Sequence, residues 1–221
     1  MLPPKLITFD CYGTLIDWYG GLRGTLSHLL PDGDLDGLCH RYVELERKLE
    51  SGPYRSYREI MADTLAALLE EAGTQLPASE RDALGQALPG WKPYPEVRAM
   101  LLRLQRDYAL GILSNIDDDL LDSSLVQLGV TPTHRVTASQ VHAYKPDEAH
   151  FRRILEISGL PAEEILHVAG SLLHDMVPAC ELGFRHLWVN RLREPRPAWL
   201  SATREVSDLT ALPTMAHRIG A

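Results

Sequence analysis

Near the start of the chain the run Leu6-Ile7-Thr8-Phe9 leads straight into Asp10, and Gly13 interrupts it three residues later. A short apolar run bounded by a turn residue reads as a buried strand. A carboxylate at the point where such a strand spills into a turn is poorly explained by packing, because acids are seldom buried without a partner. In open α/β sheets the crevice beyond the carboxyl ends of the strands is where ligands bind. We therefore read Asp10 as a reactive centre rather than as a turn-forming or helix-capping acid.

The rest of the chain supports a sheet for that strand to join. Residues 22–30, 35–50, 56–72 and 79–88 carry apolar residues at helical spacing, broken at Pro31-Asp32-Gly33, Ser51-Gly52-Pro53 and Gly73. A block of about 75 residues is too long for an ordinary crossover, so it reads as an inserted helical domain. The return is Trp91-Lys92-Pro93-Tyr94-Pro95, where paired prolines stiffen the chain. From there strands at 108–115, 135–138, 165–169 and 186–190 alternate with helices at 96–106, 117–128, 146–158 and 175–182. Such alternation predicts an α/β fold with a doubly wound, mostly parallel sheet. The expected division is a core of residues 1–16 and 94–221 with a helical insert at 17–93. The tail, from Pro195, reads as a loop and an edge element over 206–212.

Composition narrows the function. The hydrophobic fraction of 45% and charged fraction of 24% belong to an ordinary soluble protein. No run of eighteen apolar residues predicts a membrane span, and the N-terminus lacks a signal-peptide layout. Cys11, Cys39 and Cys180 are scattered, without a C-x-x-C pair. That argues against a disulfide framework and a zinc site, and for a reducing cytoplasm. A net charge of −8 argues against nucleic acid as a partner. An anionic substrate would have to be captured by local donors against the overall field.

Asp10-Cys11-Tyr12-Gly13-Thr14-Leu15 resembles the first motif, Asp-x-x-Gly-Thr-Leu, of the haloacid dehalogenase-like hydrolase superfamily. Three later segments resemble its remaining motifs in order: Leu113-Ser114-Asn115, Tyr144-Lys145-Pro146-Asp147 and Ala169-Gly170-Ser171-Leu172-Leu173-His174-Asp175. The resemblance implies a Rossmann-like core with a helical cap, Asp10 as nucleophile, and Thr14 and Lys145 holding it. Ser114 and Asn115, with Cys11, Tyr12 and Ser171, would contact the substrate, and Asp175 would orient Lys145 and the hydrolytic water. It also implies an arginine on the cap, four residues before a Leu-Glu pair, which Arg41 before Leu45-Glu46 fits; Arg41 would receive the leaving group and touch substrate.

Tyr12 separates two chemistries. Phosphatases of the superfamily carry a second Asp at that position and work beside magnesium; a phenol with a pKa near 10 is a poor proton shuttle. Asp10-Cys11-Tyr12 resembles instead the L-2-haloacid dehalogenase branch, in which halide leaves without a proton and no cofactor or metal is needed. Gly170 stands where magnesium-dependent relatives place an acid, which leaves Asp10 and Asp175 as thin ligation for a hard cation. Departures from the dehalogenases are Gly170 for Ser, Leu172 for Asn and Phe151 for Tyr; the last is expected to leave the pocket drier. His174 is a candidate to hold water in place of the missing Asn, or simply a capping residue. Trp18, Leu45, Tyr54 and Tyr57 are candidate walls. Asp117-Asp118-Asp119 reads as an acidic first turn favouring its helix dipole.

The expected activity is therefore metal-independent hydrolysis of small (S)-2-haloacids to 2-hydroxy acids through an aspartyl ester. The expected partners are a small carboxylate and, by analogy alone, a second copy in a homodimer. Rivals are ring opening of another activated carboxylate such as azetidine-2-carboxylate, a magnesium-dependent phosphatase, and a non-catalytic binding module.

Overall fold

The computed structural model describes residues 2–75, 77–200 and 203–219. Residues 1, 201, 202, 220 and 221 of the expected core and residue 76 of the expected insert thus lie outside the described residues. Six strands, β1 (Leu6–Phe9), β2 (Ala109–Ser114), β3 (His134–Thr137), β4 (Ile165–Ala169), β5 (Arg185–Val189) and β6 (Arg204–Val206), form one sheet in the order β3-β2-β1-β4-β5-β6. Every pairing is parallel, where a mostly parallel sheet was expected. The edge element is β6, slightly before the expected position.

All four residues of β1 are buried because helices cover both faces of the sheet. Ile7 and Phe9 pack into the larger apolar cluster, and Leu6 into the one on the opposite face. The chain proceeds from β1 to β2 on one side and later to β4 on the other. The order therefore reverses beside β1, and Asp10 stands just beyond that switch point.

The block between β1 and β2 is helical: α1 (Trp18–Leu29), α2 (Leu35–Glu50), α3 (Tyr57–Glu71), α4 (Ala83–Ala87) and then α5 (Val97–Leu104) on the sheet. α1 begins earlier than its apolar spacing suggests because the Asp17 carboxylate accepts from Gly20 N and caps it. Ser56 and Glu59 close a capping box at the start of α3. The block leaves and rejoins the core at adjacent points: Asp17 N donates to Lys92 O at 2.9 Å and Tyr94 N to Leu15 O at 3.0 Å.

After β2 come α6 (Asp118–Leu128), α7 (Ala138–Val141), α8 (Ala149–Ser158), α9 (Val177–Glu181) and α10 (Leu212–Met215). The expected helix at 175–182 splits into a π-helical turn, Leu172–Met176, followed by α9. The acidic run before α6 does more than favour its own dipole. Asp117, buried, accepts from Tyr57 N at 3.0 Å and Arg58 N at 2.9 Å, so a core residue caps α3 of the helical block. Asp118 accepts from Thr137 Oγ1 and Asp119 from Arg58, which ties the same turn to two neighbours.

Candidate active site

The carboxyl ends of β1, β2 and β4 bring Asp10, Ser114 and Gly170 to one wall of a cavity of ≈ 410 Å³. Asn115, Lys145, Ser171, His174 and Asp175 complete the core side, and Trp18, Val43, Glu46, Arg47, Glu50 and Tyr57 close it from the helical block.

At the base, Lys145 Nζ donates to Asp10 Oδ1 at 3.0 Å, Asp175 Oδ1 at 2.6 Å and Leu113 O at 2.9 Å. All three of its protons are thus used. Lys145 is 2% exposed and Asp175 1%. Asn115 positions the lysine by accepting from Lys145 N at 2.7 Å and donating to Lys145 O at 3.1 Å. Thr14 Oγ1 donates to Asp10 Oδ2 at 2.7 Å while accepting from Gly170 N at 2.9 Å, so the amide dictates which way the hydroxyl proton points.

Two buried carboxylates share one ammonium, and they are not equivalent. Burial raises both. The Lys145 ammonium and the His167 hydrogen bond overcome it at Asp175 and hold that carboxyl below its usual range. At Asp10 burial, aided by the Asp175 charge, outweighs Lys145 and Thr14, so its pKa is raised. An ionised carboxylate of higher basicity is also the better nucleophile. If Asp10 attacks, kcat/KM falls on the acid side with a midpoint above that of an ordinary aspartate, and Lys145→Arg moves that midpoint. A pH–rate profile measures it.

His167 belongs to the same network. It is fully buried in β4, its Nδ1 is 2.9 Å from Thr8 Oγ1, and its Nε2 is 3.0 Å from Asp175 Oδ1. Burial lowers its pKa, so the neutral ring donates through Nε2 and accepts through Nδ1. Asp175 Oδ2 and Ser114 Oγ are buried polar atoms without a partner among the described residues, and both residues line the cavity. Orphaned buried acceptors and donors beside a cavity are where ligand or water is expected.

The other expected residues divide. Ser171 lines the cavity while its hydroxyl accepts from His174 N. Tyr12 also lines it, but its hydroxyl is 2.7 Å from Ser124 Oγ, and burial pushes the phenol well above 10. His174 reaches the cavity, with burial lowering its pKa to about 4, so it stands neutral. Trp18 and Tyr57 are walls; Leu45 and Tyr54 are not among the lining residues. Cys11 is fully buried in the apolar core, so its thiol is not a substrate contact. Phe151 is likewise inside, edge-on to His167 with centroids 5.0 Å apart, and dries the network's rear rather than the pocket.

Arg41 is the main correction. It is 45% exposed and pairs with Glu44 and Glu71 on the outside of the helical block, away from the cavity. Glu50 lies nine residues on, about two and a half turns at 3.6 residues per turn, hence on the opposite face of α2. That face, Val43-Glu46-Arg47-Glu50, is the one turned to the core. Its periodicity was readable, but nothing in the sequence says which side of an amphipathic helix meets a cavity. Arg41→Ala should leave turnover within about twofold, as befits a surface ion pair.

The donors do not suit a divalent cation. Asp10 and Asp175 each already bind Lys145, Gly170 supplies no side chain, and among the described residues no three His, Cys, Asp or Glu side chains are grouped to hold a metal.

The model of the haloacid dehalogenase-like hydrolase family matches residues 4–175. The fold is similar to that of L-2-haloacid dehalogenase from Xanthobacter autotrophicus in two structures, one with chloropropionic acid covalently bound: each has a TM-score of 0.86 at 21% identity, covering 97% of this chain and 99% of that one. It is also similar to the HAD-hydrolase YfnB from Bacillus subtilis bound to magnesium, with a TM-score of 0.81 at 19% identity over 97% and 99% of the two chains. No curated protein sequence matches this chain. Among the described residues no helix is long and apolar enough to cross a membrane.

Proposed function

The chain belongs to the haloacid dehalogenase-like hydrolase family, and we propose that it hydrolyses small (S)-2-haloacids to 2-hydroxy acids without a metal. One arrangement supports this reading: Lys145 balances the charge of Asp10 and Asp175, while Tyr12 and Gly170 bring no carboxylate to the site. The xanthobacter enzyme, which takes chloropropionic acid into a covalent bond, shares the fold and supports the same bond for this chain.

A carboxylate oxygen of Asp10 attacks the α-carbon; the C–O bond forms as the carbon–halogen bond breaks, and halide leaves with the bonding pair. Halide is a stable anion and needs no acid, which suits a site whose Tyr12 is pinned as a neutral phenol. Ser114 Oγ and the amides beyond it receive the substrate carboxylate. Water then attacks the ester at Asp10 Cγ, with the unpartnered Asp175 Oδ2 orienting it. The ester C–O bond breaks at Cγ, the alkoxide takes one proton of the water, the other is released to solvent, and Asp10 regains its charge with one oxygen from water.

The test is titration of chloride from L-2-chloropropionate with chelator present, alongside azetidine-2-carboxylate and a phosphate ester with magnesium. No chloride, or activity that needs magnesium, overturns the proposal. Ser114→Ala should raise KM by about 10–100-fold with a smaller change in kcat, the effect of losing a hydrogen bond to a charged group.

A further inference from the structure

Two acids of the cavity, Glu46 and Glu50, have no part in attack, ester hydrolysis or carboxylate binding. They lie one turn apart on α2 and both line, from the helical block, the cavity whose core side holds Asp10 and Ser114. Glu46 accepts from the Tyr57 hydroxyl at 2.8 Å. Glu50, half-buried, makes no hydrogen bond or ion pair among the described residues. Arg47, on the same face, is exposed at the cavity's edge and likewise pairs with neither. On the core side Ser114 is 1% exposed and its Oγ has no partner among the described residues.

A ligand that satisfies Ser114 with its carboxylate presents its far end to the two cap acids. A second carboxylate there meets like charge once the acids ionise, Glu46 first at about pH 7. An alkyl end strips water from Glu50 and returns nothing. A cationic nitrogen gives both acids a partner.

We propose that Glu46 and Glu50 receive a positively charged nitrogen, so that the substrate is a small carboxylate bearing an ammonium group at its opposite end. The proposal takes from the haloacid reading only the bond that is broken; the ammonium passes through both steps unchanged.

The pair has a pH signature. Burial pushes Glu46 up to about 7 and Glu50 up to about 9; Glu46 adds to the rise at Glu50, and Lys145 and Arg47 reduce it. The other charged or titratable groups around the cavity are Asp10, Tyr12, Tyr57, His174, Asp175, Arg191 and Glu194, and Tyr42 faces Glu46 from its own helix. Near neutral pH Glu50 is protonated in the free protein, and an ammonium stabilises its carboxylate. Binding therefore releases a proton and tightens as pH rises towards 9, by up to about tenfold per unit.

The experiment uses unreactive pairs: ω-amino acids of three to six carbons against alkanoates of equal length, by calorimetry on the whole protein in two buffers of different ionisation enthalpy. The best ω-amino acid should bind about tenfold or more tighter than its alkanoate. It should release a proton at pH 7, and it should lose the preference in Glu50→Gln. That variant should melt no lower than the parent at pH 8, since it removes a carboxyl that burial resists ionising. Equal binding of the pair, or a preference that survives both Glu50→Gln and Glu46→Gln, overturns the proposal. Chloride release from (S)-2-chloro-6-aminohexanoate and (S)-2-chlorohexanoate separates the two claims. No chloride from either, with the binding preference intact, defeats the haloacid reading alone; equal kcat/KM for both, with no binding preference, defeats this proposal alone.

Discussion

Asp10→Asn protein should release chloride from L-2-chloropropionate at least about 10⁴-fold more slowly than the parent, while remaining folded. The amide oxygen is a far weaker nucleophile than a carboxylate, and Asp175, the acid that shares Lys145 with it, is a poor substitute. Asp175 lies nearby, but its Oδ1 is bound by Lys145 and His167, and its pKa is lowered, which makes it the poorer nucleophile. The amide keeps the shape of the acid and can still accept from one neighbour, so the loss should be in kcat rather than in the melting curve. A single turnover of parent protein in heavy-oxygen water, followed by peptide mass spectrometry, should place the label in Asp10 before it reaches product. Label found directly in the product, with none in the protein, would falsify the ester.

Lys145→Met should cost folding stability as well as activity. The ammonium is the shared partner of two buried carboxylates, and removing one partner of a buried ion pair costs about 3–5 kcal/mol. For a chain of this size that corresponds to a melting temperature lower by roughly 10 °C. The deficit has a direction in pH. Without the lysine both carboxyls have raised pKa values in the folded state, so the folded protein binds protons that the unfolded chain does not. The variant's stability is then greatest below the ordinary aspartate range and declines as pH rises through the raised values. Adding Asp175→Asn should recover part of the loss. Melting curves of parent, single and double variants between pH 5 and 8 check both statements. A deficit independent of pH would mean that the lysine acts through packing of its stem alone.

Much of the site was legible because its parts are short and local. An apolar strand, an acid and a glycine turn specify where Asp10 must emerge, and a hydroxyl after β2 needs only the same reasoning. Thr14, four residues beyond Asp10, returns to its carboxylate through one turn. The cap was harder. Its helices announce themselves by spacing, yet the side of α2 that faces the core depends on how α1, α2 and α3 pack, and Arg41 was chosen on a family spacing that this packing does not honour. His167 could have been noticed as the one polar residue of an apolar strand, as Thr8 is of β1, but the register that pairs them, Thr8 opposite His167, comes from the sheet.

The sequence by itself determined the class of fold, the ends of most strands to within a residue and the place of Asp10, the proposed nucleophile, because periodicity and turn chemistry act over a few residues. Only the tertiary structure decided which groups share a charge, which atoms are left without a partner, and which acids of the cap look into the cavity. Those are matters of burial and distance between residues far apart in the chain, and a carboxyl's pKa answers to its surroundings, not to its neighbours in sequence.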